Sequence, residues 1–175
     1  MSDETTPREG QPVRPFRISV VGGSEPTSEE GETAEALGRA LGEAGAVVVT
    51  GGLGGVMEAA CRGCASAGGL TVGILPGSAP EAANPWVRIP VPTGMGEARN
   101  ALVVRTGEAV VAVGGRWGTL SEIALARAMG LPVALLGSPP ADLSLPRPGS
   151  AEEASAWALQ EAERRRRAGS AESFS

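Results

Sequence analysis

Three side chains that carry much of protein chemistry are absent from this chain of 175 residues: histidine, lysine and tyrosine. Without histidine there is no imidazole base, no serine–histidine triad and no histidine-ligated zinc site. Without lysine there is no side-chain amine for a Schiff base, and none of the lysines that phosphate-binding loops use. Acid–base chemistry in this protein must therefore rest on carboxylates, thiols or water.

Basic charge and long apolar runs are also scarce. All 15 basic residues are arginines, and the net charge of −5 argues against a protein that coats nucleic acid. No stretch approaches the roughly 18 consecutive apolar residues of a membrane span, and the acidic N-terminal residues do not resemble a signal peptide. We therefore expect a cytoplasmic protein with no nucleic-acid partner and no membrane partner.

Strand and helix patterns alternate along the chain. Short apolar runs typical of buried strands lie at residues 16–21, 46–50, 70–75, 86–91, 109–113 and 131–136. Helical patterns lie between them and after them, at residues 28–44, 56–67, 98–106, from 119 onward and at 151–167. This order predicts an α/β fold: a single Rossmann-like doubly wound domain over residues 16–167, whose mainly parallel sheet has about six or seven strands. The polar, proline-rich residues 1–15 predict a disordered arm, and residues 168–175 a frayed tail.

The stretch from residue 109 to 126 joins a strand, a glycine-rich turn and a helix that Thr119 opens. The turn contains three glycines, Gly114, Gly115 and Gly118. Such a turn brings backbone N–H groups and a helix N-terminus to the carboxyl edge of a sheet, where anions bind. Glu122 falls in the first helical turn, where its carboxylate would face the same pocket. The alternative is a well-capped turn in which the helix dipole favours a glutamate.

Further glycine-rich turns follow other strands. The second strand is followed by a cluster of four glycines, Gly51, Gly52, Gly54 and Gly55. The first strand runs into Gly22, Gly23 and Ser24, after which Thr27 and Glu30 have the spacing of a helix capping box. Because glycines let backbone amides approach a ligand closely, these turns together predict a phosphate-binding crevice.

Arg99 has an unusual position in the sequence. It follows Gly94 and Met95 and falls in the first turn of the predicted helix at 98–106, where the dipole disfavours a cation. Contact with an anionic ligand or with a carboxylate would explain this position. The alternative is a solvated arginine, because the dipole penalty is only about 0.3–1 kcal/mol.

Cys61 and Cys64 have the CxxC spacing of redox and zinc motifs. A zinc site would need a second pair of ligands, and redox pairs usually begin a helix. Two small buried residues are the better interpretation.

The segment Gly118-Thr119-Leu120-Ser121-Glu122, preceded by glycines, resembles the proline-glycine-glycine-x-glycine-threonine-x-x-glutamate motif of LONELY GUY proteins. These are nucleoside 5′-monophosphate phosphoribohydrolases, once mislabelled lysine decarboxylases. Segment 51–57 is similar to the family's first phosphate loop, and segment 97–101 to its arginine motif. Segments 22–24 and 93–100 resemble still more closely a sister group that includes the molybdenum-cofactor carrier proteins. The resemblance implies a nucleotide-binding Rossmann-like fold and a homodimer or higher homo-oligomer.

The resemblance implies that Arg99 and Glu122 are the catalytic residues and that no metal site is present. The ligand-binding residues it implies, together with the glycine turns, are Gly22, Gly23, Ser24, Gly51, Gly52, Gly54, Gly55, Met57, Gly94, Met95, Gly114, Gly115, Arg116, Gly118 and Thr119. The chain departs from the hydrolase motif in three places: Gly114 stands for the proline, Arg116 for the second glycine, and Asn100 for a common lysine. These departures weaken transfer of hydrolase activity more than transfer of ligand binding.

Two hypotheses follow. In the first, the protein cleaves the N-glycosidic bond of a nucleoside monophosphate, and Glu122 stabilises an oxocarbenium-like transition state. Arg99 would hold Glu122 ionised, and the amides after Gly51, Gly52 and Gly118, with the Thr119 hydroxyl, would hold the phosphate. In the second, the protein is a non-catalytic carrier or sensor of the molybdenum cofactor or another phosphate-bearing cofactor. Neither requires a catalytic cofactor; the ligand would be a nucleotide or the molybdenum cofactor.

Overall fold

The computed structural model describes residues 14–138 and 141–172, and the predicted disordered arm therefore lies almost entirely outside the described residues. The strands are β1 (Arg17–Gly22), β2 (Val47–Thr50), β3 (Leu70–Leu75), β4 (Ile89–Pro92), β5 (Ala109–Val113) and β6 (Val133–Leu136). The α-helices are α1 (Ser28–Glu43), α2 (Val56–Ser66), α3 (Asn100–Thr106), α4 (Trp117–Ala128) and α5 (Ala151–Glu172). Two short 3₁₀ helices, Pro80–Ala82 and Gly96–Arg99, precede β4 and α3.

The six strands form one sheet in the order β4-β3-β2-β1-β5-β6, and every neighbouring pair is parallel. Helices α1, α2 and α5 share a core with one face of the sheet, and α3 and α4 share a core with the other. Both faces are therefore covered, which explains why the strands are nearly continuous runs of valine, alanine and leucine. The predicted Rossmann-like α/β fold is confirmed, with six strands.

The central pair β1 and β5 lies where the chain changes direction across the sheet. From β1 the chain runs outward through β2, β3 and β4, and β5 then returns to the other side of β1. Gly22, at the end of β1, is in register with Val113, at the end of β5. The turns after these two strands are thus side by side at the carboxyl edge, which is where doubly wound sheets bind ligands.

Several element ends differ from the sequence prediction. Strand β4 begins at Ile89 rather than 86, because side chains replace the strand ladder before it: Asn84 Oδ1 accepts from Trp86 N, and Thr71 Oγ1 accepts from Arg88 N. Helix α5 continues through Glu172, beyond the predicted end at 167, so residues 168–172 of the predicted frayed tail are helical. Residues 173–175 lie outside the described residues.

The capping box and the cysteines are as predicted. Glu30 N donates to Thr27 Oγ1 at 3.1 Å, and Thr27 N donates to Glu30 Oε2 at 3.0 Å. Cys61 and Cys64 are buried free thiols. Burial raises the pKa of both, that of Cys64 to about 11, whereas reactive thiols have lowered pKa values.

Within the described ranges, no helix is both long and apolar enough to cross a membrane.

Glycines allow α1 and α2 to approach backbone to backbone. A Cβ built on Gly38 would fall well inside van der Waals contact of the Ala60 carbonyl oxygen, and one on Gly63 would meet the Glu35 carbonyl. Gly31, on the same helix as Gly38, has nothing within 4 Å of a built Cβ. A comparison of Gly38 with Gly31 therefore separates the effect of helix packing on stability from the effect of helix propensity.

We expect Gly38→Ala to lower the free energy of unfolding by about 1–3 kcal/mol, because the added methyl group forces α1 away from α2. The matched change Gly31→Ala is expected to raise it by about 0.5–1 kcal/mol, since alanine is the better helix former. Urea unfolding followed by circular dichroism measures both. Equal effects of the two substitutions would contradict the close helix contact.

Candidate functional site

A cleft of about 490 Å³ lies at the carboxyl edge of the sheet, above the ends of β1 and β5. The N-terminal regions of α1, α2 and α4 and the segment before α3 surround it. Ten residues singled out in the sequence line this cleft: Gly22, Gly23, Ser24, Met57, Arg99, Gly115, Arg116, Gly118, Thr119 and Glu122. Seven others do not: Gly51, Gly52, Gly54, Gly55, Gly94, Met95 and Gly114.

Some of the six glycines among these seven residues shape the cleft from behind. Gly55 has φ +72°, and a Cβ there would lie 2.5 Å from the Ser24 carbonyl oxygen and equally close to that of Gly23. The adjacent Val56 N–H donates to Gly23 O at 3.0 Å. Gly55 therefore lets the start of α2 dock against the turn that follows β1.

The turn at Gly51 and Gly52 contributes less to the cleft than expected. Gly52 N–H, the amide after Gly51, donates to Thr50 Oγ1 at 3.1 Å and is not directed at a ligand. Leu53, the residue after Gly52, does line the cleft. The predicted phosphate contact from the amide after Gly51 is therefore wrong, because the threonine that ends β2 occupies this amide.

Gly114 and Gly115 make room for two polar side chains of the cleft. Gly114 has φ +53°, and a Cβ there would overlap the Glu30 carboxylate. Gly115 has φ +101°, and a Cβ there would overlap the Thr119 side chain. Both positions combine a left-handed backbone with close packing, so only glycine fits without strain.

Two of the helices that follow glycine turns, α2 and α4, have no side-chain cap. The N-cap residues of α2 and α4, Gly55 and Arg116, make no capping hydrogen bond, whereas Thr27 caps α1. The first N–H groups of a helix have no intrahelical partner and carry the positive end of its dipole. Helix α4 begins at Trp117, two residues earlier than predicted, which places Gly118 within its first turn and Glu122 in its second. The first α2 amide, Val56 N–H, is taken by Gly23 O, and the following Met57 lines the cleft together with Gly118 and Thr119 of α4.

Arg99 is buried, with 5% of its surface exposed, so the solvated alternative is wrong. Its Nη1 donates to Asn100 Oδ1 and its Nη2 to Gly51 O at 3.4 Å. Its Nε is buried without a hydrogen-bond partner in the described part of the chain. Burying a polar group without a partner costs free energy. This guanidinium, which ends the 3₁₀ helix before α3, lines the cleft and is a candidate donor to a bound ligand.

Burial raises the pKa of the Glu122 carboxyl from 4.5 to about 7, although Arg99 opposes the shift and Glu97 adds to it. Arg99 lowers the pKa of Glu122, as the sequence predicts, but the cost of burying the carboxylate is larger, so the pKa is raised overall. Near neutral pH a large share of the molecules therefore carries a neutral Glu122.

Carboxylates outnumber cations in the cleft. Glu25, Glu30 and Glu97 line it together with Glu122, against Arg99 and the exposed Arg116. The lining residues not singled out as ligand contacts from the sequence are Glu25, Thr27, Glu30, Leu53, Glu97 and Asn100. Two of them, Thr27 and Glu30, form the capping box. This motif marks the start of the helix that follows β1 and was the sequence signal that could have placed them at the cleft.

The raised pKa of Glu122 predicts a pH-dependent stability. A carboxyl whose pKa rises on folding contributes stability that is present below 4.5 and is lost as the pH rises through about 7. Relative to the parent protein, Glu122→Gln should therefore gain about 3 kcal/mol of unfolding free energy between pH 4.5 and pH 8. Urea unfolding at both pH values measures the gain, and the exposed Glu81→Gln is the control. A pH-independent effect of Glu122→Gln would contradict the shift.

Comparison with known proteins shows which proteins this chain is similar to. A profile of the SLOG cluster4 family matches residues 15–167. An uncharacterised protein of Archaeoglobus fulgidus is 43% identical over 124 residues, which are 71% of this chain and 82% of the relative.

Two similar solved structures come from proteins that bind the molybdenum cofactor. The molybdenum cofactor binding protein of the phototrophic bacterium Rippkaea orientalis has a TM-score of 0.79 and 34% identity, covering 85% of this chain and 98% of that chain. The molybdenum cofactor carrier protein of Chlamydomonas reinhardtii has a TM-score of 0.77 and 32% identity, covering 85% and 98%. These neighbours agree with the resemblance to the carrier group, and the family match spans nearly the whole described chain. The chain belongs to the SLOG cluster4 family.

Proposed function

We propose that this protein is a carrier that binds the molybdenum cofactor, or a closely similar phosphate-bearing pterin, without acting on it chemically. One observation carries the proposal: the two uncapped helix N-termini open into a single cleft, in a chain one-third identical to molybdenum cofactor carriers along almost their entire length. The cofactor is cargo here, so the protein has to recognise, shield and release it.

The chemistry of the cleft fits such a ligand. Its volume of about 490 Å³ is within the usual range of small-molecule sites, about 300–1,000 Å³. The free amides at the starts of α2 and α4, with the exposed Arg116, would hold the phosphate. A pterin ring also presents N–H donors along one edge, and the carboxylates of Glu30 and Glu97 are suitable acceptors. The excess of carboxylates suits a ligand that has such donors better than it suits a bare phosphate.

The hydrolysis of nucleoside monophosphates is the second candidate. Arg99 and Glu122, the residues implied to be catalytic, do line the same cleft. Glu122, whose pKa is raised to about 7, is ionised in a large share of the molecules near neutral pH and is compatible with this chemistry. Arg116, however, stands where the hydrolases have glycine. This departure favours the carrier over the hydrolase.

Purification from a host that makes the molybdenum cofactor tests the carrier function. We expect the full chain to retain pterin and molybdenum in equal amounts, close to one per chain, read out by pterin fluorescence after oxidation and by elemental analysis. Arg116→Glu should lower this occupancy at least tenfold, because it places a negative charge beside the phosphate site. The matched control Arg88→Glu changes an exposed arginine outside the cleft and should retain full occupancy.

Incubation of the same protein with AMP distinguishes the two candidates. The carrier proposal predicts no ribose 5-phosphate above the protein-free blank. Release of ribose 5-phosphate that Glu122→Gln abolishes would establish the hydrolase instead. Absence of pterin together with a retained nucleotide would also contradict the carrier.

The same proposal includes self-association and a cytoplasmic location. Trp117 is 84% exposed, and Met95 and Leu102 are exposed apolar residues on neighbouring elements. Large exposed apolar side chains near a cleft are typical of a subunit interface. The two buried free thiols agree with a reducing compartment.

We expect light scattering after size-exclusion chromatography to give at least twice the chain mass. Trp117→Glu should shift the protein toward the monomer, because the new charge would have to be buried in the interface. Trp86→Glu, a like change at a second exposed tryptophan, is the control. A monomeric parent protein would contradict the proposed assembly.

A further inference from the structure

A second cavity, of about 280 Å³, lies at the opposite edge of the sheet, beside the starts of β1, β5 and β6. Five charged residues line it: Arg17, Arg105, Arg165, Arg166 and Glu108. We call these residues the arginine cluster. None of them belongs to the cleft described above.

The single carboxylate of the cluster is already committed. Arg166 Nε and Nη2 donate to Glu108 at 2.5 and 2.8 Å, and Arg17 N donates to Glu108 Oε2 at 2.9 Å. Burial raises the pKa of Glu108, but the hydrogen bonds from Arg166 and Arg17 and their charges outweigh burial and lower it overall. Glu108 is therefore ionised at neutral pH and serves to hold the chain ends of the fold together.

The remaining guanidinium groups have no carboxylate of their own, since Arg17 Nη2 lies 3.9 Å from the same Glu108, at Oε1. Arg17 Nε donates to Thr106 O at 2.9 Å, and Arg165 Nη1 donates to Gly130 O at 3.0 Å. Arg105 makes no hydrogen bond or ion pair with any described residue. Four guanidinium groups thus face one carboxylate, and three formal positive charges are left at one cavity of a chain that is acidic overall.

Helix dipoles explain only part of this surplus. The C-terminal ends of α3 and α4 lie beside the cavity, and each carries a partial charge of about −0.5. Together they offset about one of the three charges, so about two remain. Capping of the carbonyls at these helix ends occupies Arg17 and Arg165, which donate to Thr106 O and Gly130 O. It gives no role to Arg105.

We propose that the arginine cluster is a second anion site that binds the phosphoryl group of a small molecule. A phosphate monoester is close to a dianion at neutral pH, which matches the uncompensated charge. Arginine forks suit its oxygens, and the cavity admits a small group but no folded element. The site lies at the amino edge of the sheet and would be occupied independently of the cleft.

Calorimetric titration of the full chain with pyrophosphate at low ionic strength and pH 7.5 tests this site. The parent protein is expected to bind pyrophosphate at the arginine cluster. Arg105→Gln/Arg165→Gln should weaken this binding at least tenfold, whereas Arg116→Gln, which changes the cleft, should leave it unchanged. Thermal melts by circular dichroism confirm that each variant is folded.

The control is Arg88→Gln/Arg147→Gln, which removes the same charge at two exposed arginines elsewhere and should change the affinity less than twofold. Equal weakening by the control would show a general charge effect and overturn the proposal. No pyrophosphate binding by the parent protein, or binding that Arg105→Gln/Arg165→Gln leaves intact, would also overturn it. None of these results would bear on cofactor binding by the cleft.

Discussion

The parallel pairing of β1 with β5 is the constraint on which the rest of the structure depends. It brings the two glycine turns, at Gly23 and at Gly115, to adjacent positions on one edge of the sheet. The chain leaves these strands toward opposite faces, because α1 covers one face and α4 the other. A crevice therefore opens between the N-termini of α1 and α4, as the topology of doubly wound sheets requires.

The electrostatics of this crevice favour a ligand with two chemically different ends. Uncapped amides of α2 and α4, Arg116 and the unpartnered Nε of Arg99 attract an anion. Four glutamates in the same cleft oppose a ligand that is anionic throughout. Protonation of Glu122, whose pKa is raised to about 7, relieves part of this repulsion. A phosphate joined to a donor-rich heterocycle satisfies both parts of the cleft, and this is the physical basis of the carrier proposal.

The sequence predicted the fold well because buried parallel strands leave an unambiguous pattern: the bounds of β3 and β5 agree to the residue. It also predicted most of the cleft, because glycine turns after parallel strands share one edge. Contacts between distant segments were not predictable. The close approach of Gly114 to Glu30 and the burial of Arg99 depend on packing that no local pattern encodes. The sign of the Glu122 shift was missed for the same reason, since burial decides it.

The most direct measurement is an amide ¹H–¹⁵N spectrum of the cofactor-loaded protein compared with the cofactor-free protein. If the free helix amides hold the phosphate, the largest shifts will fall on Gly118, Thr119 and Met57, at the starts of α4 and α2. Resonances on the outer strand β4, such as that of Ile89, should stay in place. Large shifts confined to residues outside the cleft, with Gly118 and Met57 unchanged, would contradict the account.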